Sequence, residues 1–530
     1  MNNPAAKPRI RVKALSRPIA AEVARPKTSA AYMRGETGPT FSGWRPALRE
    51  SRDDVRSAWR MAAARAVDLI QNSGFISGIV DQSAANVVGT GLRLNLTPDA
   101  DALGMTKGEA QGWARRVESR FALWARTPQE VDAESRRSFG AMQVAAYKHW
   151  MALGEAVATV PWLRRPGRMF GTKIRLIPAH QITQDSDDIK RLTHGVYLDT
   201  LGAPVAYALK QKSIGGTETT VRVDARDDVG RPVIIHTFDG PVGAVRGITP
   251  FVPVLQTVKQ FGQLGDATLV NAIIHAVFAA TIEGDFPTTE ILRALQSPQE
   301  QAMADQSPVD AWFEGRSGWY QNTHVDLGVA GKFVHLYPGQ KLNFHGAQTP
   351  SPDYEKFAGF LLREIARCAG MTFESATGDY RQATYSSIRM ATADIYPLSL
   401  QRRAQIIAPF CQSGFEAWLE EDIRAGNTPF PGGIDGFLEN RTAACLAEWR
   451  GTGKPQADDK KTAEAHRIWK EMGVITDEMI CGDLGLDVED VYDVRVRERQ
   501  MRQERGLPDF QPRGSNAPAE PTQQDDSNDG

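Results

Sequence analysis

Two glycine-containing segments have residue types that bind phosphate groups in other proteins. Residues 451–454 read Gly-Thr-Gly-Lys, and a lysine after such glycines is part of the loop that cradles nucleotide phosphates. The segment lacks the four-residue loop of that motif, precedes Pro455 and does not follow a convincing strand. Residues 89–91 read Gly-Thr-Gly but lack the third glycine of a dinucleotide-binding turn. Both segments therefore predict turns and no nucleotide site.

Two other clusters carry side chains that could ligate a metal ion. They are His324, His335 and His345, and the acidic loop of Asp185, Asp187 and Asp188. The histidines are eleven and ten residues apart, which is no recognised ligand spacing, and the acidic loop lacks the glycine and final glutamate of a calcium-binding loop. We interpret them as ordinary polar histidines and a solvated loop, and predict no metal and no cofactor.

The sequence contains no GxSxG nucleophile elbow and no HExxH metalloprotease motif. The four cysteines, at positions 368, 411, 445 and 481, form no CxxC or CxxH pair and are expected to be isolated thiols. A metal-dependent nuclease would need carboxylates that converge from distant segments. A metal-dependent DNA-processing enzyme of a mobile element, such as a nuclease, is therefore the alternative hypothesis, and the sequence favours a protein that is not an enzyme.

The charge balance limits how the chain can bind nucleic acid. Its 530 residues include 62 basic and 64 acidic side chains, for a net charge of −2. This balance argues against a protein that grips DNA by bulk positive charge, because phosphate binding of that kind requires many Lys and Arg contacts. A channel along which DNA slides is compatible with this balance. The length suffices for about two to four domains.

The two ends of the chain differ in charge. Residues 1–44 are basic, rich in Pro and Ala, and lack the apolar run of a signal peptide, so a flexible arm is expected. Residues 506–530 predict a disordered acidic tail. The best candidate for a membrane span, residues 268–282, is interrupted by Asn271 and His275 and is shorter than the roughly 20 residues required. No membrane association is expected.

Hydrophobic periodicity predicts an α+β protein that is mainly helical. Helices are predicted at 52–73, 75–88, 106–127, 138–153, 253–280, 352–370, 387–425 and within 457–503. Short β-branched runs predict strands of an antiparallel sheet at 156–163, 173–179, 195–199, 204–210, 221–225 and 232–238, with a hairpin turn at 202–204. Pro397 and Pro409 within the pattern at 387–425 are compatible either with one long kinked helix or with two or three separate helices.

The most informative region has the order helix, exposed loop, long helix. The first helix ends at Gly370, the polar residues Glu374 to Thr384 have no apolar period, and a helical pattern begins at Tyr385. A loop between two well-patterned helices is expected to project from the molecule. It offers Tyr380, Arg381 and Gln382 as contacts, with Glu374 and Asp379 opposing tight binding of a polyanion.

Five blocks of sequence, in order, resemble the lambda-type phage portal family. They are residues 64–94, 175–183, 194–209, 234–283 and 335–394. The block at 234–283 is the most specific: a His-x-Phe strand precedes an Arg246-Gly247 turn, a long helix and an Ala-Ala-Thr-Ile-Glu end. The resemblance covers roughly residues 52 to 500.

The resemblance implies a ring of identical subunits, about twelve in number, at one vertex of a phage or prophage capsid, assembled in the bacterial host cytoplasm. Double-stranded DNA would be packaged and ejected through its channel. Implied partners are the terminase large subunit, scaffolding and major capsid proteins, and head–tail connector proteins.

The resemblance also implies a portal-type domain order. The segments are an N-terminal arm (1–44), a wing (45–250), stem helix 1 (251–282), a clip (283–350), stem helix 2 (351–371), a tunnel loop (372–386), a kinked helix (387–426), a crown (427–505) and a tail (506–530). In this assignment residues 374, 379, 380, 381 and 382 line the DNA tunnel, and the prolines at 397 and 409 mark the kinks. Phe357, Phe360, Trp418 and Trp449 are candidate interface aromatics, although core packing is the favoured role of each.

Overall fold

The computed structural model describes residues 47–212, 216–277, 280–284, 314, 315, 317, 318, 340–344, 352–453 and 459–508. The predicted arm, most of the predicted clip with its three histidines, Lys454 and nearly all of the predicted tail lie outside these residues. The chain divides into two compact units, 1–50 and 51–530, and the architecture below is that of the second.

Among the described residues, fifteen α-helices and eleven strands are numbered in chain order. The helices are α1 (Ser51–Asn72), α2 (Gly74–Val87), α3 (Lys107–Arg126), α4 (Pro128–Val131), α5 (Phe139–Leu153), α6 (Leu255–Val277), α7 (Pro352–Ala369), α8 (Phe373–Thr377), α9 (Tyr385–Arg402), α10 (Ala408–Arg424), α11 (Gly433–Glu439), α12 (Arg441–Ala444), α13 (Asp459–Glu471), α14 (Asp477–Asp483) and α15 (Val488–Glu504). The strands are β1 (Arg93–Leu96), β2 (Glu155–Thr159), β3 (Arg175–Ile177), β4 (Leu192–Thr193), β5 (Val196–Leu198), β6 (Pro204–Lys212), β7 (Glu218–Asp224), β8 (Ile234–Phe238), β9 (Ala280–Gly284), β10 (Gln340–Phe344) and β11 (Ala447–Arg450). The predicted mainly helical α+β class is confirmed.

Helix boundaries follow local capping chemistry. Thr106 and Glu109 form a reciprocal capping box at the start of α3, with the Glu109 N–H donating to Thr106 Oγ1 at 3.3 Å. Such a cap satisfies backbone donors that the first helical turn leaves unpaired and contributes about 1 kcal/mol. Ser73 has an extended conformation and separates α1 from α2. The break predicted at Gly74 therefore occurs one residue earlier. Gly154 ends α5 with a φ of 88°, a left-handed conformation that favours glycine.

Two antiparallel sheets, of three and four strands, form most of the β part of the body. One has the order β3-β2-β8 and the other β4-β5-β6-β7, and the predicted hairpin joins β5 to β6. All six predicted strands are present, although most are shorter than predicted. β9 follows α6 in the chain, and β10 precedes α7. The two strands pair antiparallel, with Gly284 opposite Gln340.

Aromatic side chains hold the main core together. Phe121 of α3 packs edge-on against Phe415 and Trp418 of α10, with ring centroids 5.4 and 5.2 Å apart. Trp124 and Trp418 are fully buried, and each such side chain contributes on the order of 2 kcal/mol or more through burial. The core therefore joins α3 to α10, elements about 300 residues apart in the chain.

A strand pair that the sequence did not predict ties the C-terminal region to this core. β1 pairs antiparallel with β11, Leu94 lying opposite Trp449. Phe430 and Phe437 also belong to the main core. The boundary predicted at residue 427, between kinked helix and crown, thus falls between elements that share one core.

The region of the predicted kinked helix is helical throughout residues 385–424. α9 contains Pro397 in its interior, a π-helical turn follows at Arg403–Ile407, and Pro409 lies in the first turn of α10. Proline lacks the N–H that would bond to the preceding turn, and π turns commonly accommodate such an irregularity. The sequence left open one long helix or two or three separate helices. In the structure, residues 385–424 form one continuous helical stretch.

Candidate DNA-contacting loop and its support

The segment predicted as the tunnel loop, residues 372–386, is partly helical. Thr372 caps the short helix α8, accepting a hydrogen bond from the Ser375 N–H at 3.1 Å. Gly378 ends α8 with a φ of 70°, and Thr384 caps α9. The irregular loop is therefore only residues 378–384. The prediction of one structureless segment from Glu374 was wrong, because Glu374 lies in the first turn of α8.

Arg381 is held by two carboxylates. Its Nε donates to Asp379 Oδ1 at 2.9 Å and its Nη2 to Asp379 Oδ2 at 2.7 Å. The same Nη2 donates to Glu355 Oε1 of α7, also at 2.7 Å. Bidentate geometry of this kind fixes the guanidinium plane. The loop is thereby joined to α7 by side chains that remain largely exposed.

The ion pairs of Arg381 determine the protonation states of its own side chain and of Asp379. The hydrogen bonds from Arg381 lower the pKa of Asp379 to about 2, and those carboxylates raise the pKa of Arg381. Asp379 and Arg381 are therefore ionised at neutral pH, and the side chain of Glu355 lies against the same guanidinium. The sequence identified Asp379 and Arg381 but missed Glu355, since nothing in its local pattern distinguishes it from any exposed helix residue.

Tyr380 and Gln382 are uncharged loop side chains that are exposed to solvent. Tyr380 is 54% exposed and Gln382 is also exposed. Tyrosine offers a flat ring and a hydroxyl, and glutamine an amide, so both can contact a nucleic acid without adding charge. The structure thus brings four of the five predicted residues into one exposed loop, and places Glu374 beside it.

Two adjacent arginines anchor the long helical region behind the loop. Arg402 donates to the carbonyl groups of Cys368 and Ala369 at the end of α7, and lies over the Trp150 ring at 5.5 Å. Arg403 donates to the Val87 carbonyl at the end of α2, at 3.0 Å. A cation at a helix C-terminus satisfies carbonyls that have no partner within the helix. The sequence reasoning missed both residues.

The Arg246-Gly247 turn belongs to a buried ion network in the wing. Arg246 and Glu155 are both fully buried, with Arg246 Nε 2.7 Å from Glu155 Oε2 and Nη2 bonded to Oε1. Arg246 also donates to the carbonyls of Ala179 and His194, at 3.0 and 3.1 Å, and its guanidinium lies 4.9 Å from the Trp59 ring. The signature arginine therefore joins α1, β2, the 3-10 turn at Ala179–Gln181 and the turn at His194.

Electrostatics within this network favour its ionised form. Burial alone would raise the pKa of Glu155, but Arg246 and His236 together outweigh it and lower the pKa to about 2. His236 Nε2 lies 2.9 Å from Glu155 Oε2. Burial, together with the nearby positive charge of Arg246, lowers the pKa of His194 to about 4, so this histidine is neutral at pH 7.

Gly247 is required for steric reasons. A Cβ at this position would overlap the Gly154 carbonyl oxygen and lie 2.7 Å from Phe238 Cβ. Gly154 in turn packs against the backbone of Ile248. The close approach of these two backbone segments positions Arg246 over Glu155, which gives the predicted family-signature turn a structural role.

The remaining chemical candidates that lie within the described residues do not form a site. Residues 88–91 form a turn closed by the Gly91 N–H and the Val88 carbonyl, and Asp187 accepts hydrogen bonds from the N–H groups of Ile189 and Lys190. Within the described residues, no group of three or more His, Cys, Asp or Glu side chains could hold a metal ion. None of the described helices combines the length and apolar content that a membrane span requires.

The carboxylates of the acidic run in α10 bind neighbouring elements of the fold and do not form a metal site. Asp422 is bound bidentately by Arg120, at 2.7 and 2.8 Å, and Glu421 accepts from the N–H groups of Gly171 and Thr172. Charge-assisted bonds of this kind occupy the oxygen lone pairs. These carboxylates therefore stabilise α10 against its neighbours.

The loop, the two long helices and the Arg246-Gly247 turn lie in a segment that matches a known protein family. The sequence model of the phage portal protein, lambda family, matches residues 37–403. The chain belongs to the lambda family of phage portal proteins. The match includes the Arg246-Gly247 turn, α6, α7, the loop and α9.

Two relatives are similar to this portal protein over most of their length. The portal protein of Escherichia phage N15 is 27% identical over 484 residues, covering 89% of this chain and 90% of the relative. Portal protein B of Escherichia phage lambda is 27% identical over 481 residues, covering 89% of each. The function is that of a phage portal protein, and the family gives the chain a structural role. The nuclease alternative has no support.

Solved structures of phage-like particles also match at low similarity. A chain of the virion of the native gene transfer agent particle has a TM-score of 0.40 at 15% identity, covering 84% of this chain and 97% of that chain. A chain of the neck of that particle, computed with C12 symmetry, has a TM-score of 0.42 at 14% identity, covering 81% and 99%.

Proposed function

We propose that this portal protein assembles into a closed ring of about twelve subunits at one capsid vertex, and that double-stranded DNA enters and leaves the head through its channel. The observation that carries the proposal is the family match over residues 37–403, which includes the exposed loop between two long helical regions. The particle would assemble in the bacterial host cytoplasm and remain part of the virion.

The domain assignment proposed for the chain follows the predicted order. The part of the chain that forms α1–α5 and β1–β8 corresponds to the wing, α6 and α7 to the two stem helices, and the segment between them to the clip. Because residues 427–450 share the main core with the wing, we place only α13–α15 in the crown.

The loop is proposed to contact DNA weakly as it passes. Its support is the charge arrangement around Arg381, whose guanidinium is already bonded to Asp379 and Glu355. A strong phosphate contact needs an available cation and gains affinity by releasing counterions. An arginine held between two carboxylates binds phosphate poorly, so the loop can guide DNA through Tyr380 and Gln382 without retaining it.

The ring also requires two different faces on each subunit, because its interface is heterologous. Of the four candidate aromatics, Trp418 and Trp449 belong to the core, whereas Phe357 and Phe360 are 53% and 61% exposed. The two phenylalanines lie three residues apart on one face of α7. We propose that this face contacts the neighbouring subunit, while the two tryptophans stabilise the subunit itself.

Further partners follow from the same role. We propose that the terminase large subunit and, later, head–tail connector proteins dock on the ring, and that scaffolding and major capsid proteins surround it during assembly. The chain would act without a cofactor and without enzymatic activity, the ATPase that drives packaging being another protein.

The mass of the purified protein tests the ring. About twelve copies of the 58.2 kDa chain should give a particle of about 700 kDa by light scattering after size exclusion, with a central hole in negative-stain images. A stable monomer or dimer that scaffolding protein does not convert into a ring would contradict the proposal.

Replacing Arg381 by alanine should leave assembly intact and lower DNA packaging. The change leaves Asp379 and Glu355 unpaired, so the loop repels the phosphates of incoming DNA more strongly. We expect the DNA packaged per particle in a fixed time to fall by roughly two- to tenfold. Arg389→Ala is the matched control, since Arg389 is exposed on α9 outside the loop. Equal packaging by the two variants would argue against a role of the loop.

A further inference from the structure

Among the described residues, no apolar side chain of α13, α14 or α15 belongs to a hydrophobic core of the body. Neither hydrophobic cluster contains a residue from 459–508. Within the described residues of α13–α15, His466 is the one buried side chain. Hydrophobic burial is the main favourable term in the association of protein segments. The attachment of this C-terminal segment must therefore depend on polar contacts.

Those contacts are concentrated at two arginines of the body. Arg115 of α3 donates to Glu489 of α15. Arg450 of β11 donates to Glu478 of α14 at 3.1 Å and lies 3.6 Å from Asp487, the residue that caps α15. Exposed or half-exposed ion pairs are individually weak and are screened by salt.

Tight backbone packing shows that the two parts fit closely where these pairs form. A Cβ on Gly453 would lie 2.7 Å from the Leu484 carbonyl carbon. Gly485 has a φ of 72°, and a Cβ there would lie 3.0 Å from the Gly451 carbonyl oxygen. The contact is thus a defined surface between two glycine-containing turns, flanked by the ion pairs of Arg115 and Arg450.

Glu118 of α3 lies one turn after Arg115, the residue that contacts Glu489, and its carboxyl group interacts electrostatically with the acidic start of α15. Glu118 of α3 accepts a hydrogen bond from the Leu96 N–H at 2.6 Å. Burial, together with the negative charges of Asp487, Glu489 and Asp490, raises the pKa of Glu118 to about 7 against the opposing effect of the Leu96 N–H. Arg115, one turn earlier on α3, and Arg450, which contacts Asp487, are the cations of the same surface.

We propose that α13–α15 form a detachable segment, held on the body by Arg115 and Arg450 and released when Glu118 becomes ionised. Detachment removes three carboxylates from around Glu118, so the pKa of its carboxyl is lower in the released form. The attached form consequently binds the extra proton. Attachment is favoured below pH 7 and weakens as the pH rises through about 7.

Hydrogen exchange on the full-length protein, with each variant compared in the same oligomeric state, tests the proposal. Peptides from α14 and α15 of the natural chain should lose protection between pH 6 and pH 8, after correction for intrinsic exchange rates. In Glu118→Gln, which retains an acceptor for the Leu96 N–H, this pH dependence should disappear. In Arg115→Ala the same peptides should exchange roughly two- to fivefold faster, the size expected for an exposed ion pair, and the difference should shrink in high salt.

Arg116→Ala is the matched control, because Arg116 donates to the Gly112 carbonyl of its own helix. Peptides from the buried helix α5 report whether the body stays folded and should not change in any variant. Glu118→Gln with an unaltered pH dependence, or Arg115→Ala and Arg116→Ala with the same exchange in α14 and α15, would overturn the proposal.

Discussion

Glu155→Ala is expected to destabilise the subunit by about 3–5 kcal/mol, because it leaves the buried guanidinium of Arg246 without its counter-charge. Both side chains are completely inaccessible to solvent. Removing one partner of such a pair leaves an uncompensated charge in a medium of low polarity. The midpoint of thermal unfolding, measured at fixed protein concentration and in one oligomeric state, should fall accordingly.

The double replacement Glu155→Met with Arg246→Met separates the charge effect from packing. Since both charges are removed, it should cost less than Glu155→Ala alone. Asp81→Ala is a suitable control, because Asp81 forms an exposed pair with Lys148 and should change stability by about 0–1 kcal/mol. A Glu155→Ala protein as stable as the Asp81→Ala protein would show that the network does not stabilise the wing.

The same network makes the wing sensitive to acid. Glu155 has a folded-state pKa of about 2, below its ordinary 4.5, so its contribution is present above pH 4.5 and is lost as the pH falls towards 2. His194 has a folded-state pKa of about 4, below its ordinary 6.5. It must remain neutral in the fold, and stability is therefore also lost as the pH falls from 6.5 through 4.

Local sequence patterns were sufficient to predict most helices and strands of the body. The helix predicted at 106–127, which is α3, followed from the apolar spacing of Trp113, Val117 and Phe121, which all face the core. Periodicity of this kind is a property of one segment and can be detected within it. The family resemblance, carried by the order of several segments, also led to the correct function.

Contacts between distant segments were not predicted. The pairing of β1 with β11 joins residues more than 350 positions apart, and four-residue strands have too little alternation to be recognised singly. Arg402 and Arg403 appear in the sequence as ordinary helix residues, and only the fold places carbonyl groups from two different helices beside them. The role of Arg246 was likewise invisible, because its partner Glu155 lies 91 positions away.

Replacing Phe357 and Phe360 together by glutamate is expected to abolish ring formation while leaving the subunit folded. Both side chains are more than half exposed on α7, so the subunit loses little by the change. An interface in which two aromatic rings are buried would lose several kcal/mol, and glutamate would add the cost of burying charge. Light scattering should therefore find subunits or small oligomers in place of the particle of about 700 kDa.

Two comparisons make this result specific to the α7 face. Phe357→Leu with Phe360→Leu retains an apolar surface and should still form the ring. Leu123→Glu, at a similarly exposed apolar residue of α3, tests whether any added charge is harmful. Rings formed by the glutamate variant would move the interface away from α7. Loss of the ring in that variant, with an unchanged circular dichroism spectrum, would assign the exposed aromatics of α7 to contact between subunits and leave Trp418 and Trp449 to core packing.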